Sequence, residues 1–462
     1  MSVQVASRPP SPPARLAGYR PRSPRESPLY RVFADHYPAF VAEYEERHQR
    51  TWGHPRRIVE RTVRGFLRCG LLEHGFARLR CDACRGELLL AFSCKTRGLC
   101  ASCGARRTAA WARWVAGDLV RGVPHRQVVL TLPKLLRPYF KFRRALLTDL
   151  ARWLHECIAE LMAPLAPEPV RPGAVACLEL AGNLLNLQPH VHSIATDGAF
   201  SLDGERFYPM PPRLWRLLEE RVRRRVIAEL HARGLLPAAR VRLLLSWRRS
   251  GFSVHAGRPV PPEDGEGLER LARYVRRLHL AESRVRYDEG TDRVVYSSGK
   301  KSHPGFGGNF RVLDARDFVA AVCGFIPDRY RHETVTYGEY SNVVRGKRRK
   351  AGLAPGLALQ PAPAGRARAV WRELLRAIYA TDPLACACGG VLCPIAVLTD
   401  PEVIERILRH LGRWPPPRRT PRPPRPPPSR AAPAPPPSEA EASQVPLWWD
   451  DPAAFSQVPP EG

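Results

Sequence analysis

The stretch LNLQPHVHSIATDG, residues 185–198, decides how the chain is read. It alternates like a strand, and residues i and i+2 of a strand face the same way. His190 and His192 therefore stand side by side, with Val191 turned to the opposite face. Two imidazoles so presented suit two ligands of one divalent ion, although the same spacing also occurs in plain core or surface histidines. An ion would need a third ligand. Gln188 shares the face by parity, with Pro189 between it and the pair. Glu179, in the preceding apolar run ACLELAG, is the other candidate, since a lone carboxylate sits poorly in a buried strand without a partner.

Outward from this point strands and helices alternate. QVVLTLP (127–133) and GAVACLELAG (173–182) precede the histidine strand, and RLLLSW (242–247) and SGFSVHAG (250–257) follow it as further strands. RRALLTDLARWLHECIAELM (143–162), PPRLWRLLEERVRRRVIAELHARG (211–234) and GLERLARYVRRLHL (267–280) carry helical periodicity. This predicts an α/β or α+β sheet domain over 120–350. Upstream, 30–72 reads as helical and leads into a cysteine-rich block, so 30–115 forms an N-terminal module. A basic run at 345–352 and a Pro/Ala/Gly-rich linker separate the sheet domain from a small Cys-containing unit, 367–412. Residues 1–29 and 413–462, rich in Pro and Arg, read as disordered tails.

The cysteine block holds two knuckles, Cys81-Asp-Ala-Cys84 and Cys100-Ala-Ser-Cys103, fifteen residues apart. Each presents two thiolates to one ion, and redox-inert zinc suits four sulfurs in a closed structural site. Cys94 could replace a member, and Cys69 reads as core. Lys95, Arg97, Arg106 and Arg107 give the block a basic rim for phosphates.

The formal net charge is +29 and the sequence pI about 10.4. Such an excess favours polyanions, nucleic acid first, unless it merely reflects Arg-rich codon usage. No apolar run is long enough to span a membrane, and the N-terminus lacks a secretory core. The expected location is cytoplasmic, on the nucleoid when bound to DNA. There the twelve cysteines stay reduced, which favours metal binding over disulfides.

In the helix 267–280, Leu271, Tyr274 and Leu278 share a face, and Arg273, Arg276 and Arg277 cluster about the tyrosine. Tyr274 is either a core aromatic or a phenol whose ionised form is favoured by cations.

Taken in order, LRCGLLEHGFARLRCDAC, AFSCKTRGLCASCGARR, RQVVLTLP, LNLQPHVHSIATDG, SGFSVHAG, GLERLARY and LTDPEVIERILRHLG resemble the rolling-circle insertion-sequence transposases of the HUH class that carry an N-terminal zinc-binding domain. The resemblance spans about residues 30–412. It implies an α+β fold, with a helical, zinc-ribbon-like module, an HUH-type antiparallel-sheet nuclease domain with flanking helices, and a small C-terminal unit. It puts the metal-binding histidines on His190 and His192, structural zinc on Cys81, Cys84, Cys100 and Cys103, and the nucleophile on Tyr274. Some members carry a second tyrosine four residues earlier, where this chain has Arg270. The implied chemistry is Mg²⁺- or Mn²⁺-assisted cleavage and rejoining of single-stranded or hairpin DNA through a 5′-phosphotyrosine, with Arg273, Arg276 and Arg277 on the DNA and no nucleotide cofactor.

The chain departs from the family after the tyrosine, where Arg-Leu-His replaces Pro-Pro. It departs again at Cys386-Ala-Cys388-Gly-Gly, one residue shorter than the family's CxxCGG knuckle, with Cys393 nearby. Whether these cysteines bind metal is left open. Tyr337 and Tyr340, in a basic setting, are rival nucleophiles. A replication initiator or relaxase would share the site, and a copy that has lost catalysis would persist as a zinc-dependent DNA-binding protein.

Overall fold

The structure is a computed structural model, and it describes residues 22–299, 309–352, 372, 382 and 384–414. The expected tails over 1–21 and beyond 414 lie outside the described residues, as does most of the helical start of the C-terminal unit.

The fold is α+β. The N-terminal part carries α1 (Pro28–Ala42), α2 (Arg57–Arg68), the hairpin β1 (Phe76–Cys81) and β2 (Glu87–Ala91), and α3 (Ala101–Trp114). β3 (His125–Thr131) and α4 (Ala145–Met162) open the sheet domain. β4 (Gly173–Ala181), β5 (Leu187–Thr196), α5 (Leu218–Ala232), α6 (Ala238–Ser246), β6 (Ser253–Val260) and α7 (Gly265–Val275) continue it. A small antiparallel sheet follows, β7 (Val285–Asp288), β8 (Arg293–Ser297) and β9 (Phe310–Asp314). Then come α8 (Ala315–Phe325), β10 (Thr334–Gly338), α9 (Asn342–Lys350), β11 (Leu392–Leu398) and α10 (Pro401–His410).

The central sheet has the order β10-β4-β5-β3-β6 with every neighbouring pair antiparallel. Strand alternation gives it two unlike faces. Val128, Leu130, Ala174, Ala176, Val191 and Ala195 turn into the main core with Leu150, Trp153 and Leu154 of α4. Val175, Cys177 and Ile194 point the other way, under α3 and α7, where Ala112, Val115, Leu268, Ala272 and Val275 cover them. β5 lies at the centre of the sheet, so a side chain on its second face is roofed by two helices and fixed by neighbours on both sides.

Several expectations need correction. RLLLSW is helical, not a strand, because Leu244 alone of its leucines is buried, as the inner face of the short helix α6. α7 stops at Val275, so Leu278 lies past the helix end and packs near Gly104 of α3. The N-terminal tail is shorter than its composition suggests. Leu29 is fully buried at the start of α1, and Arg22 hydrogen-bonds the Cys69 carbonyl at 2.9 Å. The last strand also leaves its own segment. β11 pairs with β1 in the order β2-β1-β11, so the C-terminal unit joins the N-terminal hairpin across the whole sheet domain.

A buried histidine and a partly buried one flank the sheet. His125 begins β3 with Nε2 2.6 Å from the Tyr340 hydroxyl, and His155 of α4 stacks on Tyr337. Burial lowers both imidazoles from the usual 6.5 to about 4. A histidine depressed in this way stabilises the fold above its unfolded value. That stability is lost as pH falls from 6.5 through 4. Urea unfolding should give a lower midpoint at pH 5 than at pH 7, and the combined His125→Gln and His155→Gln variant should show a smaller drop than the wild type.

Candidate functional site

The register of β4 against β5 builds the site. Glu179 stands opposite His190 and Cys177 opposite His192, all on the roofed face. The pairing shifts just beyond, between Glu179 and Ala181. Pro189, which has no N–H to donate, falls at that irregularity. The two histidines therefore keep a common face despite the proline.

His190 and His192 are nearly buried, and their ring centroids are 4.9 Å apart. His190 Nδ1 lies 2.6 Å from the Gln188 carbonyl oxygen. Nδ1 donates there, so Nε2 is the nitrogen turned toward Glu179. That nitrogen is 3.3 Å from Glu179 Oε2. Of the two candidates for a third ligand, Glu179 joins the pair, with the three ligand atoms within 4.8 Å of one another. Gln188 supplies a carbonyl that orients His190. Gln127 of β3, which the sequence reading missed, places its side-chain amide 3.2 Å from His192 Nδ1. As placed, the amide nitrogen donates to Nδ1 and orients the ring; with the amide turned over, its oxygen would accept Nδ1–H and free Nε2, the usual way an outer partner sets a ligand's tautomer.

Electrostatics prepare the group for a cation. Burial would raise the Glu179 carboxyl, but the His190 hydrogen bond and the charges of His190, His192 and His279 prevail and hold it at about 2. Burial, with His190 beside it, lowers His192 to about 4. At neutral pH the site thus offers a carboxylate and a neutral imidazole on His192. Such a donor set fits a divalent ion of the Mg²⁺, Mn²⁺ or Zn²⁺ type.

Tyr274, near the end of α7, reaches this site. Its ring lies edge-on to His192 at 5.9 Å between centroids. It is 43 % exposed, so it faces both the ligand group and solvent. The Arg277 guanidinium lies 4.5 Å from the centre of the tyrosine ring and also contacts Asn183. The other two arginines are engaged elsewhere. Arg273 pairs with Glu269 one turn back. Arg276 is largely buried against Glu333, which Arg97 of the cysteine block also approaches, so it ties the two parts of the chain together. Tyr340 is buried, with its hydroxyl held by His125 and the Arg121 amide. Tyr337 donates to the Thr148 carbonyl. Burial pushes both phenols up, which makes them poor nucleophiles.

The cysteines do not form the expected quartet. Cys100 and Cys103, at the start of α3, gather with Cys69 and Cys94, and Cys81 and Cys84 gather with Cys386 and Cys388. The hairpin is the reason. From Phe76 to Cys81, β1 climbs about 17 Å at ~3.3 Å per residue. That climb carries the first knuckle to the far tip, while β2 returns the chain to Cys94 beside Cys69.

In the first group the sulfurs are 3.6–3.9 Å apart for the contacting pairs. Four sulfurs at ~2.3 Å from a zinc ion form a tetrahedron with edges of about 3.8 Å. A disulfide would need about 2.05 Å. The tetrad therefore fits a structural zinc ion. Hydrogen bonds from Cys100, Cys69 and Cys94 hold the Cys103 sulfur below the usual thiol range. The amino end of α3 and Arg22, 3.8 Å from Cys100 Sγ, favour negative charge there. Spacing allowed Cys94 as a replacement member but read Cys69 as core, and only the return of the hairpin brings both to Cys100.

Residues 32–132 match the family described as "Transposase zinc-binding domain". Residues 173–348 match that described as "Putative transposase". The chain is 24 % identical over 368 residues to the transposase for insertion sequence element IS801 of Pseudomonas savastanoi pv. phaseolicola, covering 74 % of this chain and 85 % of that protein. No solved structure matches. Among the described residues no helix is long and apolar enough to cross a membrane. The zinc-binding segment, the transposase segment behind it and the insertion-sequence relative agree in order and extent, and the chain belongs to the insertion-sequence transposases that carry an N-terminal zinc-binding domain.

Proposed function

We propose that this transposase cuts and rejoins single-stranded DNA at its element ends through a covalent bond to Tyr274, in rolling-circle transposition. The observation that carries the reading is the meeting of three features on one sheet face. Glu179 lies against His190, His190 beside His192, and His192 against the ring of a half-exposed tyrosine. An antiparallel five-stranded sheet with the histidine pair on its middle strand supports an HUH-type nuclease domain. The cysteine-bearing sheet β2-β1-β11 supports a zinc-ribbon-like module.

Glu179, His190 and His192 would hold Mg²⁺ or Mn²⁺, and such an ion supplies polarisation of the scissile phosphate and neutralises its charge. The chain's own groups do the rest. Tyr274 Oη attacks phosphorus and yields its proton to solvent. The bond from phosphorus to the 3′ oxygen breaks, and that oxygen leaves as a 3′-hydroxyl after taking up a proton. The 5′ end remains on the tyrosine as a phosphodiester, so its bond energy is conserved for rejoining to a second 3′-hydroxyl. Arg277 beside the ring offers a cation to a bound phosphate. Arg273 is exposed enough to reach a backbone phosphate, whereas Arg276 serves structure rather than DNA contact.

Two measurements test this. Incubated with Mn²⁺ or Mg²⁺ and end-labelled single-stranded element ends, the wild type should form a protein–DNA adduct that survives denaturation. Tyr274→Phe should fall below about a thousandth of that yield, as expected for loss of a nucleophile. Wild type without adduct defeats the proposal, and an adduct of undiminished yield on Tyr274→Phe moves the nucleophile elsewhere. In direct Mn²⁺ titration, Gln127→Ala should weaken binding by about 10–100-fold, in the range for loss of a ligand's outer partner. Tyr274→Phe should leave Mn²⁺ affinity unchanged, since the phenol acts on the phosphate and not on the ion.

A further inference from the structure

The second cysteine group lies outside the site above, and half of it, Cys386 and Cys388, lies far beyond the matched zinc-binding segment, which ends at residue 132. Cys81 and Cys84 stand at the tip of the β1–β2 hairpin. Cys386 and Cys388 arrive from a part of the chain some three hundred residues later. Cys81 Sγ is 3.5 Å from Cys388 Sγ, and Cys84 Sγ is 3.7 Å from Cys386 Sγ. These are again close to the tetrahedral edge of about 3.8 Å set by zinc–sulfur bonds, and too long for disulfides. All four sulfurs lie within 4.8 Å of one another.

The surrounding backbone is shaped for thiolates. The N–H groups of Ala83 and Cys84 face Cys81 Sγ. The N–H of Gly390 does the same for Cys388, whose thiol is lowered to about 7 by that bond first and by its thiol neighbours next. The N–H of Cys388 faces Cys386. The glycines are there for room. Gly389 has φ of +89°, and a Cβ on Gly390 would lie 2.7 Å from Cys81 Sγ. A tight turn, with Gly389 N–H on the Cys386 carbonyl and Cys386 N–H on the Gly390 carbonyl, lets Cys-Ala-Cys do what a longer knuckle does elsewhere. Cys393 is exposed and paired with Arg80 on the strand, apart from the group.

The two halves are also joined without metal. Cys81 pairs with Leu392 and Phe76 with Leu398. Asp82 accepts the Val391 N–H at 2.8 Å, and its own N–H reaches the Val391 carbonyl at 3.1 Å. Leu79 and Leu392 bury a small core against Cys81 and Cys386, and Ile404 and Leu408 of α10 cover Phe76. A core this small is typical of folds that depend on a metal staple.

We infer that Cys81, Cys84, Cys386 and Cys388 form a second, bipartite tetrathiolate zinc site that clasps the C-terminal unit onto the N-terminal hairpin. The clasp closes the chain around its whole sheet domain. It makes β11 a metal-dependent third strand of the hairpin sheet.

The test counts zinc in the full-length protein carrying His190→Ala and His192→Ala, so that only thiolate sites remain. Two zinc ions per chain are expected, and Cys393→Ser should keep both. Adding Cys388→Ser should leave one and speed amide exchange over 392–398 at least tenfold, while exchange in 187–196 of the central sheet stays unchanged. That unchanged exchange separates loss of the clasp from loss of the fold. One zinc in the parent protein overturns the inference. So does a Cys388→Ser protein that retains two ions, or one that loses an ion with no change in exchange over 392–398.

Discussion

The pairing of β4 with β5 is the constraint on which the site depends. Antiparallel strands bring residues directly opposite to within about 5 Å on a common face. Fixing Cys177 against His192 therefore also fixes Glu179 against His190. A slip of one residue would send both imidazoles into the main core and Val191 under α7. The slip is opposed on both sides. Val191 is fully buried among leucines of one face, and Ile194 is fully buried on the other. The same hydrophobic alternation that makes β5 the middle strand thus aims the ligands.

Burial then gives the site its charge state. A carboxylate removed from water would protonate unless partnered, and the adjacent imidazoles supply the partner. The resulting Glu179–His190 contact is preorganised before any ion or DNA arrives. Tyr274 differs in kind, since α7 leaves it nearly half exposed over this pocket. The proposed nucleophile would need such access to reach a large, mobile strand, while a purely structural aromatic would gain from burial.

The N-terminal module is linked to this site through the core that α3 shares with α7 and through polar ties as well. Arg276 follows Tyr274 by two residues and meets Glu333, which Arg97 approaches from the cysteine block. Arg97 also reaches the carbonyls of Asp328 and Arg331, and Arg56 bonds Asp328. On the proposed function, element-end recognition by one part and strand cleavage by the other would have to be held in register. These ties run between the two along the segment that follows α8.

The sequence by itself determined the local features: the histidine strand with its period of two, most of the helices, the basic character, and the motif order that points to the transposase family. It misjudged RLLLSW because three consecutive leucines look alike as strand or helix until one face is seen to be covered. His190, His192 and Tyr274 carry a signal that is local or set by motif, and the fold brings these three together. Glu179 over Gln188 was a choice between a residue of the neighbouring strand and one of the same strand, and only the β4–β5 register makes it. The cysteines are the clearest case. Adjacent knuckles invite a local quartet, yet a hairpin about 17 Å long separates them. Cys69, Cys94, Cys386 and Cys388 become partners only once distant segments pair. A metal-type cluster is defined by distances in space, and no spacing along the chain encodes a contact made across some three hundred residues.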